Sequence, residues 1–364
     1  MKVGRIMAKR VEKVQALLKN LNVDGVLIKS KTVKKYLDTL TGSGCKLLIT
    51  REKGYLILDG RYITEAKEKE KDLEIVLSDS GGYLKSVKEI LDKHNYNSLA
   101  VEGNSMLIDE YIKIKETIDK VHILKDELNM LRIIKEKEEI AVIKEACKLT
   151  DEIFYKVIDK IKIGMNEHEI SALIQYYGIS MGASRMSFET IVATGKRSAM
   201  PHGRPTERKI KAHEPILLDF GIEYKNYQSD MTRTVFIGEP TDKMREVYEV
   251  VLKAQTSGVK GIKVGVKAKE VDKIARDIIK HNGYGEYFSH GLGHGIGIGD
   301  VEEYPILNEK SDTVLEEGMI MSCEPGIYIP DLGGVRIEDD VLIENGVGVP
   351  LNHSSKELIV LKEK

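Results

Sequence analysis

An aspartate at the end of an apolar run limits what the C-terminal half of this chain can fold into. Asp219 directly follows Leu217 and Leu218 and directly precedes Phe220. Burial of a carboxylate is unfavourable unless a partner charge or a metal ion compensates for the lost water. The sequence therefore predicts that Asp219 lies at a buried strand end and has such a partner.

A second aspartate supplies a candidate neighbour. Asp230 follows Asp219 by eleven residues, and the intervening residues 223–226 predict a hairpin turn centred on residues 224–225. In that hairpin the two aspartates would lie opposite each other, with Cβ atoms about 4.5–5.5 Å apart. Carboxylates this close repel each other and raise a pKa. A divalent cation between them would remove that cost.

The same arrangement recurs further along the chain. Glu324 and Glu338 are symmetric about Asp331, which lies next to the glycine pair at 333–334. This spacing predicts a hairpin with one glutamate on each arm. Between the two predicted hairpins lies His294, which has glycines on both sides and can therefore lie in backbone that approaches a ligand closely.

Four carboxylates and one imidazole form a ligand set that suits Mn²⁺, Co²⁺ or Zn²⁺ better than metals that prefer thiolates. Two such ions about 3.5–4 Å apart can activate a water molecule for attack on a carbonyl group. Simpler interpretations stay open at this point. Each acidic residue could be a solvated strand-edge residue, and His294 could be a turn residue. The glycine-rich residues 291–299 do not fit a phosphate-binding loop.

The length of 364 residues predicts two domains. We place an α/β domain at residues 1–127 and a second domain at residues 128–364. Short apolar runs predict strands at 25–28, 46–50, 55–59, 73–77, 188–194, 215–220, 229–237, 319–324 and 335–344. Apolar periodicity predicts helices at 11–21 and 83–94, from Ile133, from Asn166 with Glu169 as its capping box, from Thr241, and at 268–283.

Composition excludes several classes of protein. Lys and Arg number 56 against 58 Asp and Glu, which argues against a general nucleic-acid binder. No apolar run is long enough for a transmembrane helix, so no membrane association is predicted. No signal peptide is recognised. The three cysteines are widely spaced and do not form a disulfide pattern, so the expected location is cytoplasmic.

Four segments together resemble a known family. DFGIEYKNYQSDMTRT, HGLGHGIGIG, EPGIYIPDLGGVRIEDD and ETIVATGKRSAMPHG are similar to motifs of the Xaa-Pro aminopeptidase and prolidase group of metallopeptidases. The resemblance implies an α+β pita-bread catalytic domain, as in creatinase and methionine aminopeptidase. It also implies a creatinase-like α/β N-terminal domain, of which residues 40–43 and 59–62 are weaker signs.

The resemblance further implies roles for individual residues. The implied metal ligands are Asp219, Asp230, His294, Glu324 and Glu338. The implied catalytic residues are Glu324, as general base, with His202 and His290. The implied substrate-binding residues are His202, His290 and Arg336. With two divalent ions, Mn²⁺ first among the candidates, the chain would hydrolyse Xaa-Pro bonds in peptides or dipeptides by attack of a metal-bridging hydroxide. Family members are often homodimers, so a homodimer is expected.

One motif departs from the family pattern. Typical members have a histidine seven residues after the metal-binding one, and in this chain that position falls on Val301 or Glu302. No histidine lies between His294 and His353. Such a residue would help to stabilise the intermediate or protonate the leaving nitrogen. Two alternatives therefore stay open: hydrolysis of another carbon–nitrogen bond, and a non-catalytic binding module.

Overall fold

The computed structural model of the chain describes residues 3–79, 81–299 and 303–363. Contacts divide the chain into two compact units, Met1–Arg132 and Ile133–Lys364. The domain boundary that the sequence places after residue 127 stays a prediction. Within the described residues, no helix has both the length and the apolar character that crossing a bilayer requires.

The N-terminal unit is a mixed sheet with helices. Its helices are α1 (Val3–Asn20), α2 (Lys31–Tyr36), α3 (Ile63–Lys69), α4 (Gly82–Lys93), α5 (Ile108–Thr117) and α6 (Glu127–Met130). Its strands are β1 (Gly25–Ile28), β2 (Lys46–Thr50), β3 (Gly54–Leu58), β4 (Glu74–Leu77), β5 (Ser98–Glu102) and β6 (Lys120–Leu124). The strand order is β4-β3-β2-β1-β5-β6. β1 is antiparallel to β2 and parallel to β5.

Apolar periodicity explains how a helix packs on the sheet of this unit. Val87, Ile90 and Leu91 recur at helical spacing on α4 and are buried, together with Leu48 of β2 and Val101 of β5, in one hydrophobic cluster. The predicted strands at 25–28 and 46–50 are confirmed at both ends. β5 and β6 were not predicted.

The C-terminal unit begins with two helices and a first group of strands. These elements are α7 (Lys137–Ile158), α8 (Glu167–Ser180), β7 (Arg185–Met186), β8 (Ile191–Thr194), β9 (Pro215–Phe220), β10 (Ile222–Tyr224), β11 (Tyr227–Gln228) and β12 (Met231–Ile237). A 3₁₀ turn follows β8 at Gly195–Ala199. The capping box of Asn166 and Glu169 at the start of α8 is confirmed.

Helices and strands then alternate a second time. These elements are α9 (Asp242–Gly261), α10 (Ala268–His281), β13 (Gly293–Gly295), β14 (Glu303–Leu307), β15 (Ile320–Cys323), β16 (Gly326–Ile329), β17 (Gly333–Arg336), β18 (Asp339–Glu344), β19 (Val347–Pro350) and β20 (Ile359–Leu361). A second 3₁₀ turn lies at Gly285–Tyr287. Two sheets matter most for the site, with the orders β20-β12-β9-β8 and β14-β13-β15-β18-β19.

Several predicted elements have different bounds in the structure, among them the following three of the C-terminal unit. The helix predicted from Ile133 begins at Lys137, because Ile134 forms a β-bridge with Met319 and Glu136 caps the helix. The strand predicted at 188–194 is confined to β8. The strand predicted at 335–344 is two strands, because β17 pairs with β16 whereas β18 pairs with β15.

Candidate active site

One cavity of about 440 Å³ in the C-terminal unit is lined by every residue to which the sequence assigned a role. Those residues are His202, Asp219, Asp230, His290, His294, Glu324, Arg336 and Glu338. The structure thus brings together side chains from the loop after β8, from the ribbons β9–β12 and β15–β18, and from the segment around β13. Their chemical roles stay predictions.

The first ribbon supplies two aspartates. Its strands pair in a register that differs from the predicted one, so the predicted register is wrong. Asp219 lies opposite Thr232, not opposite Asp230. The turn is centred on Lys225 and Asn226, whose φ angles are 49° and 72°, rather than one residue earlier. A two-residue turn of this kind needs positive φ at both central positions, which asparagine tolerates well. Asp230 is therefore a diagonal neighbour of Asp219 on the same face of the ribbon.

The second ribbon confirms its predicted hairpin. The ladder pairs Cys323 with Asp339 and Gly326 with Arg336, so both sides share one register in which Glu324 lies opposite Glu338. Asp331, at the turn, has a φ of 62°. This register brings two glutamates to the same position of the ribbon, close to the aspartates of the first ribbon in the cavity lining.

Glycines allow His294 to reach these carboxylates. A Cβ on Gly293 would lie 2.1 Å from the Ser322 carbonyl oxygen, so the backbone of β13 approaches β15 more closely than any side chain permits. The Nε2 atom of His294 lies 3.5 Å from Glu324 Oε1 and 3.7 Å from Asp230 Oδ2. Asp230, His294 and Glu338 each offer a ligand atom within 4.8 Å of the others.

The electrostatics of the cavity match a cation site. Burial, followed by repulsion from Glu338 and Asp219, raises the pKa of Asp230 well above its usual value. Burial and repulsion from Glu324 likewise raise the pKa of Glu338. Burial also raises the pKa of Asp219, although Arg336 opposes this shift. One buried oxygen on each aspartate, Oδ1, has no hydrogen-bond partner in the described part of the chain.

Like charges and unpartnered oxygens in one place are unfavourable unless a cation joins them. Carboxylate oxygens with one imidazole nitrogen match the donors that hard or borderline divalent ions prefer. The residues present therefore fit divalent metal ions. The side chains that would hold them are those of Asp219, Asp230, His294, Glu324 and Glu338.

A tyrosine that the sequence did not single out connects two predicted residues. The hydroxyl of Tyr328 lies 2.8 Å from His290 Nε2 and accepts a hydrogen bond of 2.8 Å from Arg336 Nη1. His290 Nδ1 lies 2.8 Å from the Gly291 carbonyl oxygen, which assigns the ring proton to that nitrogen. The sequence signal was the two-residue alternation from Glu324 to Tyr328, which places both on one face of the strand.

The guanidinium of Arg336 is buried and engaged by the protein. It pairs with Asp219, and Nε donates to the Thr232 hydroxyl at 3.0 Å. A further N–H donates to the Pro201 carbonyl at 3.2 Å. The substrate contact proposed for Arg336 stays a prediction. By contrast, the imidazole of His202 is exposed at the cavity wall.

Val301 and Glu302, on which the expected histidine position falls, lie outside the described residues. The described residues that flank this segment, Gly299 and Glu303, contact each other. The Glu303 carboxylate accepts a hydrogen bond from the amide of Gly299 and lies 3.8 Å from the ammonium of Lys135. The consequence of the missing histidine stays a prediction.

Comparison with known proteins decides the family. Residues 141–345 match Metallopeptidase family M24, and residues 10–134 match the Creatinase/Prolidase N-terminal domain. The chain belongs to metallopeptidase family M24. The resemblance seen in the sequence is confirmed, and so is the fold, a creatinase-type N-terminal domain followed by a pita-bread domain. Membership of M24 makes this chain a peptidase and implies divalent metal ions.

Several relatives of this M24 peptidase match over nearly its whole length. A Xaa-Pro dipeptidase of Pyrococcus furiosus is 39% identical over 97% of this chain and 100% of the relative. The structure of a Xaa-Pro dipeptidase from Bacillus anthracis matches with a TM-score of 0.94 and 38% identity, covering 98% of this chain and 100% of that one. An X-Pro aminopeptidase from Thermotoga maritima matches with a TM-score of 0.87 and 34% identity, covering 93% and 98%.

Proposed function

We propose that this M24 peptidase hydrolyses the Xaa-Pro bond of dipeptides or of peptide N-termini, with two divalent ions held by Asp219, Asp230, His294, Glu324 and Glu338. The observation that carries the proposal is the convergence of these five side chains in one cavity, with unpartnered buried oxygens on both aspartates. Relatives described as Xaa-Pro dipeptidase and X-Pro aminopeptidase support the choice of bond.

The ions supply one element of the chemistry. Divalent cations bound there would act as Lewis acids and lower the pKa of water from about 15.7 towards neutrality. Mn²⁺ is our first candidate because four of the five donors are carboxylates, and hard oxygen ligands favour it over thiolate-seeking metals.

The chain's own residues supply the rest. Glu324 is only partly buried and lines the cavity, so its carboxylate can accept a proton from the attacking water and pass it to the departing proline nitrogen. His202 presents an exposed imidazole at the same wall, where it can donate a hydrogen bond to the carbonyl oxygen of the scissile bond. His290 receives the Tyr328 hydroxyl at Nε2 and is held in one orientation beside Glu324.

The assay compares a panel of Xaa-Pro dipeptides and Xaa-Pro-Yaa tripeptides with matched Xaa-Ala peptides, using protein stripped of metal and then loaded with Mn²⁺, Co²⁺ or Zn²⁺. We expect turnover of the proline peptides alone, and its loss in Asp230→Asn. Turnover only of other carbon–nitrogen bonds would favour the altered-substrate alternative, which the missing histidine motivates. No turnover with any metal, together with tight peptide binding, would favour a binding module.

Two further features belong to the same proposal. Homodimer formation, which the family resemblance implies, would give a solution mass about twice the 40.9 kDa of the chain in light scattering. A cytoplasmic location is proposed because Cys45, Cys147 and Cys323 are free and buried, which suits a reducing compartment. Fractionation of cells that express a tagged chain tests the location.

A further inference from the structure

Two arginines are found among the described residues that line the cavity. They differ in how many of their guanidinium N–H groups are available to a ligand. Arg336 is buried, and its donors are engaged by Asp219, Thr232, Tyr328 and the Pro201 carbonyl. Few of its N–H donors therefore remain available to a ligand. Arg204 is the other arginine among the described lining residues, and its side chain is 75% exposed.

The partner of Arg204 is one that a ligand can displace. Its Nη2 atom lies 3.0 Å from Oε2 of Glu189, whose side chain is 60% exposed and also lines the cavity. Exposed ion pairs of this kind contribute little to stability, because water solvates both partners well. A ligand carboxylate can therefore displace Glu189 from Arg204 at little cost in free energy.

The backbone of Arg204 is fixed although its side chain is exposed. The Arg204 carbonyl accepts a hydrogen bond from the guanidinium of Arg197, which in turn pairs with the fully buried carboxylate of Glu167 at 3.0 Å. Arg204 also follows His202 by two residues on the same loop. The backbone that carries this cation is therefore fixed beside the histidine that we place at the scissile bond.

We propose that Arg204 binds the free C-terminal carboxylate of the substrate and so makes the chain selective for dipeptides. This inference rests on the proposed Xaa-Pro function. In a Xaa-Pro dipeptide the carboxylate lies one residue, at most about 3.6 Å of chain, beyond the scissile bond. Its cationic partner must therefore line the same cavity as the reacting groups, as Arg204 does.

The charge distribution supports this assignment. Among the described residues of the lining, the charged ones besides the arginines are carboxylates: Glu189, Asp219, Asp230, Glu324 and Glu338. A substrate carboxylate is repelled by those that bound cations do not neutralise, and a guanidinium can bind it through two parallel hydrogen bonds. The amide of Asn308, on the same lining, offers a further donor. A longer peptide would place an uncharged peptide bond where the carboxylate lies.

The test uses the full-length, Mn²⁺-loaded protein and three substrates: alanyl-proline, its C-terminal amide alanyl-prolinamide, and alanyl-prolyl-alanine. The readout is the ratio of kcat/KM for the dipeptide to kcat/KM for the amide. The variants are Arg204→Met, Arg204→Lys and Glu189→Gln. Arg245→Ala is the control, because Arg245 is also an exposed arginine paired with a glutamate, Glu239, but does not line the cavity.

In the wild type we expect the ratio to be about tenfold or more, as a charge-assisted hydrogen bond predicts. Arg204→Met should lower kcat/KM for the dipeptide about 10- to 100-fold more than for the amide, chiefly through KM. Arg204→Lys should give a dipeptide-to-amide ratio between those of the wild type and Arg204→Met, since lysine keeps the charge but not the planar guanidinium. Glu189→Gln should raise the ratio about two- to fivefold by removing a competitor. Arg245→Ala should match the wild type.

Turnover of both substrates with a ratio that Arg204→Met leaves unchanged would overturn the inference and leave the proposed function intact. Wild-type preference for the amide or the tripeptide would overturn it as well. Absence of turnover on all three substrates would instead overturn the proposed function. Because Arg204 is exposed, its variants are expected to fold, and circular dichroism of each variant verifies this.

Discussion

The carboxylate of Glu167 accepts hydrogen bonds from both the amide and the hydroxyl of Thr206, at 2.9 and 2.7 Å. It accepts two more from the amide and hydroxyl of Thr194, at 2.8 and 2.9 Å, and pairs with Arg197. The side chain is fully buried. One carboxylate at the start of α8 therefore fastens both ends of the loop that carries His202 and Arg204 into the cavity.

We expect Glu167→Gln to impair the proline-peptidase activity through His202. Glutamine replaces one acceptor oxygen by an NH₂ group that faces other donors, which costs about 1–3 kcal/mol for each buried group left unsatisfied. The loop should shift, and kcat/KM should fall about tenfold or more. In a double-mutant cycle the loss should largely vanish on the His202→Ala background, because the two residues act as a unit.

Asp151→Asn is the control for simple destabilisation. Asp151 is also buried, and it accepts the amides of His353 and Ser354 at 2.6 and 3.0 Å, but it does not line the cavity. It should lower stability and leave kcat/KM near the wild-type value. Additive effects of Glu167→Gln and His202→Ala on kcat/KM would show that Glu167 does not act through His202.

Two buried aspartates should respond in opposite ways to amide substitution. With metal removed by a chelator, Asp230→Asn should stabilise the protein by about 1–3 kcal/mol, since it deletes a carboxyl group that in the folded state must either ionise among like charges or take up a proton. Asp339→Asn should destabilise it by about 3–5 kcal/mol. Burial alone would raise the pKa of Asp339, but Arg233, at 2.7 Å, and Lys356 outweigh that effect and hold it below its usual value.

Urea unfolding of both variants in chelator at neutral pH measures this contrast. Similar losses of stability in the two variants would show that Asp230 has a compensating partner in the metal-free protein. That outcome would remove the electrostatic argument for a cation site.

The stability of the metal-free protein should fall as pH rises. Asp230 and Glu338 have pKa values raised by burial and by neighbouring carboxylates, so the folded state holds protons that the unfolded state has released. Their stabilising contribution is complete below about pH 4, the unfolded value, and is lost as pH rises through the raised folded values. Bound cations should abolish this slope, and the gain in Tm from Mn²⁺ should grow between pH 5 and 8.

Thermal unfolding with Mn²⁺ and with chelator, across that pH range, checks the sign. Asp230→Asn in chelator serves as the reference, because its slope should be shallower. A gain in Tm that stays constant with pH would contradict the expected linkage between protons and metal.

Protonation of His290 should set part of the acid limb of the activity profile. Burial lowers the pKa of His290, and Arg336 adds to this effect while Glu324 opposes it. The neutral ring accepts the Tyr328 hydroxyl at Nε2, and protonation removes that acceptor. Activity should therefore fall as pH drops through a midpoint below the ordinary value of about 6.5.

The pH dependence of kcat/KM in the wild type and in His290→Asn measures this contribution, with Tyr328→Phe as a companion variant. In His290→Asn the limb should move or flatten, because asparagine does not titrate. An unchanged limb in that variant would assign the ionisation to another group.

Local chemistry explains which parts of the fold the sequence reveals. β9 was predicted with both ends correct because an apolar run is bounded by polar residues and glycine. The hairpin about Asp331 was predicted because the glycine pair beside it marks the turn. The turn of the first ribbon was placed one residue early, since Tyr224 continues the strand and Asn226 takes the positive φ.

Contacts between residues distant in sequence explain what it does not reveal. Glu167 follows the Asn166 cap by one residue and is indistinguishable there from a solvated first-turn acid, yet its partners lie 27 to 39 residues further on. Arg336 stands in a recognisable motif, but its burial against Asp219 follows only from the docking of two ribbons. Arg204 becomes notable only once Arg336 is seen to be engaged.

Anomalous diffraction at the manganese edge, from crystals loaded with Mn²⁺, tests the central claim most directly. We predict two peaks in the cavity, bounded by the side chains of Asp219, Asp230, His294, Glu324 and Glu338, and loss of at least one peak in Asp230→Asn. Peaks elsewhere on the molecule, with none among these five side chains, would contradict the account.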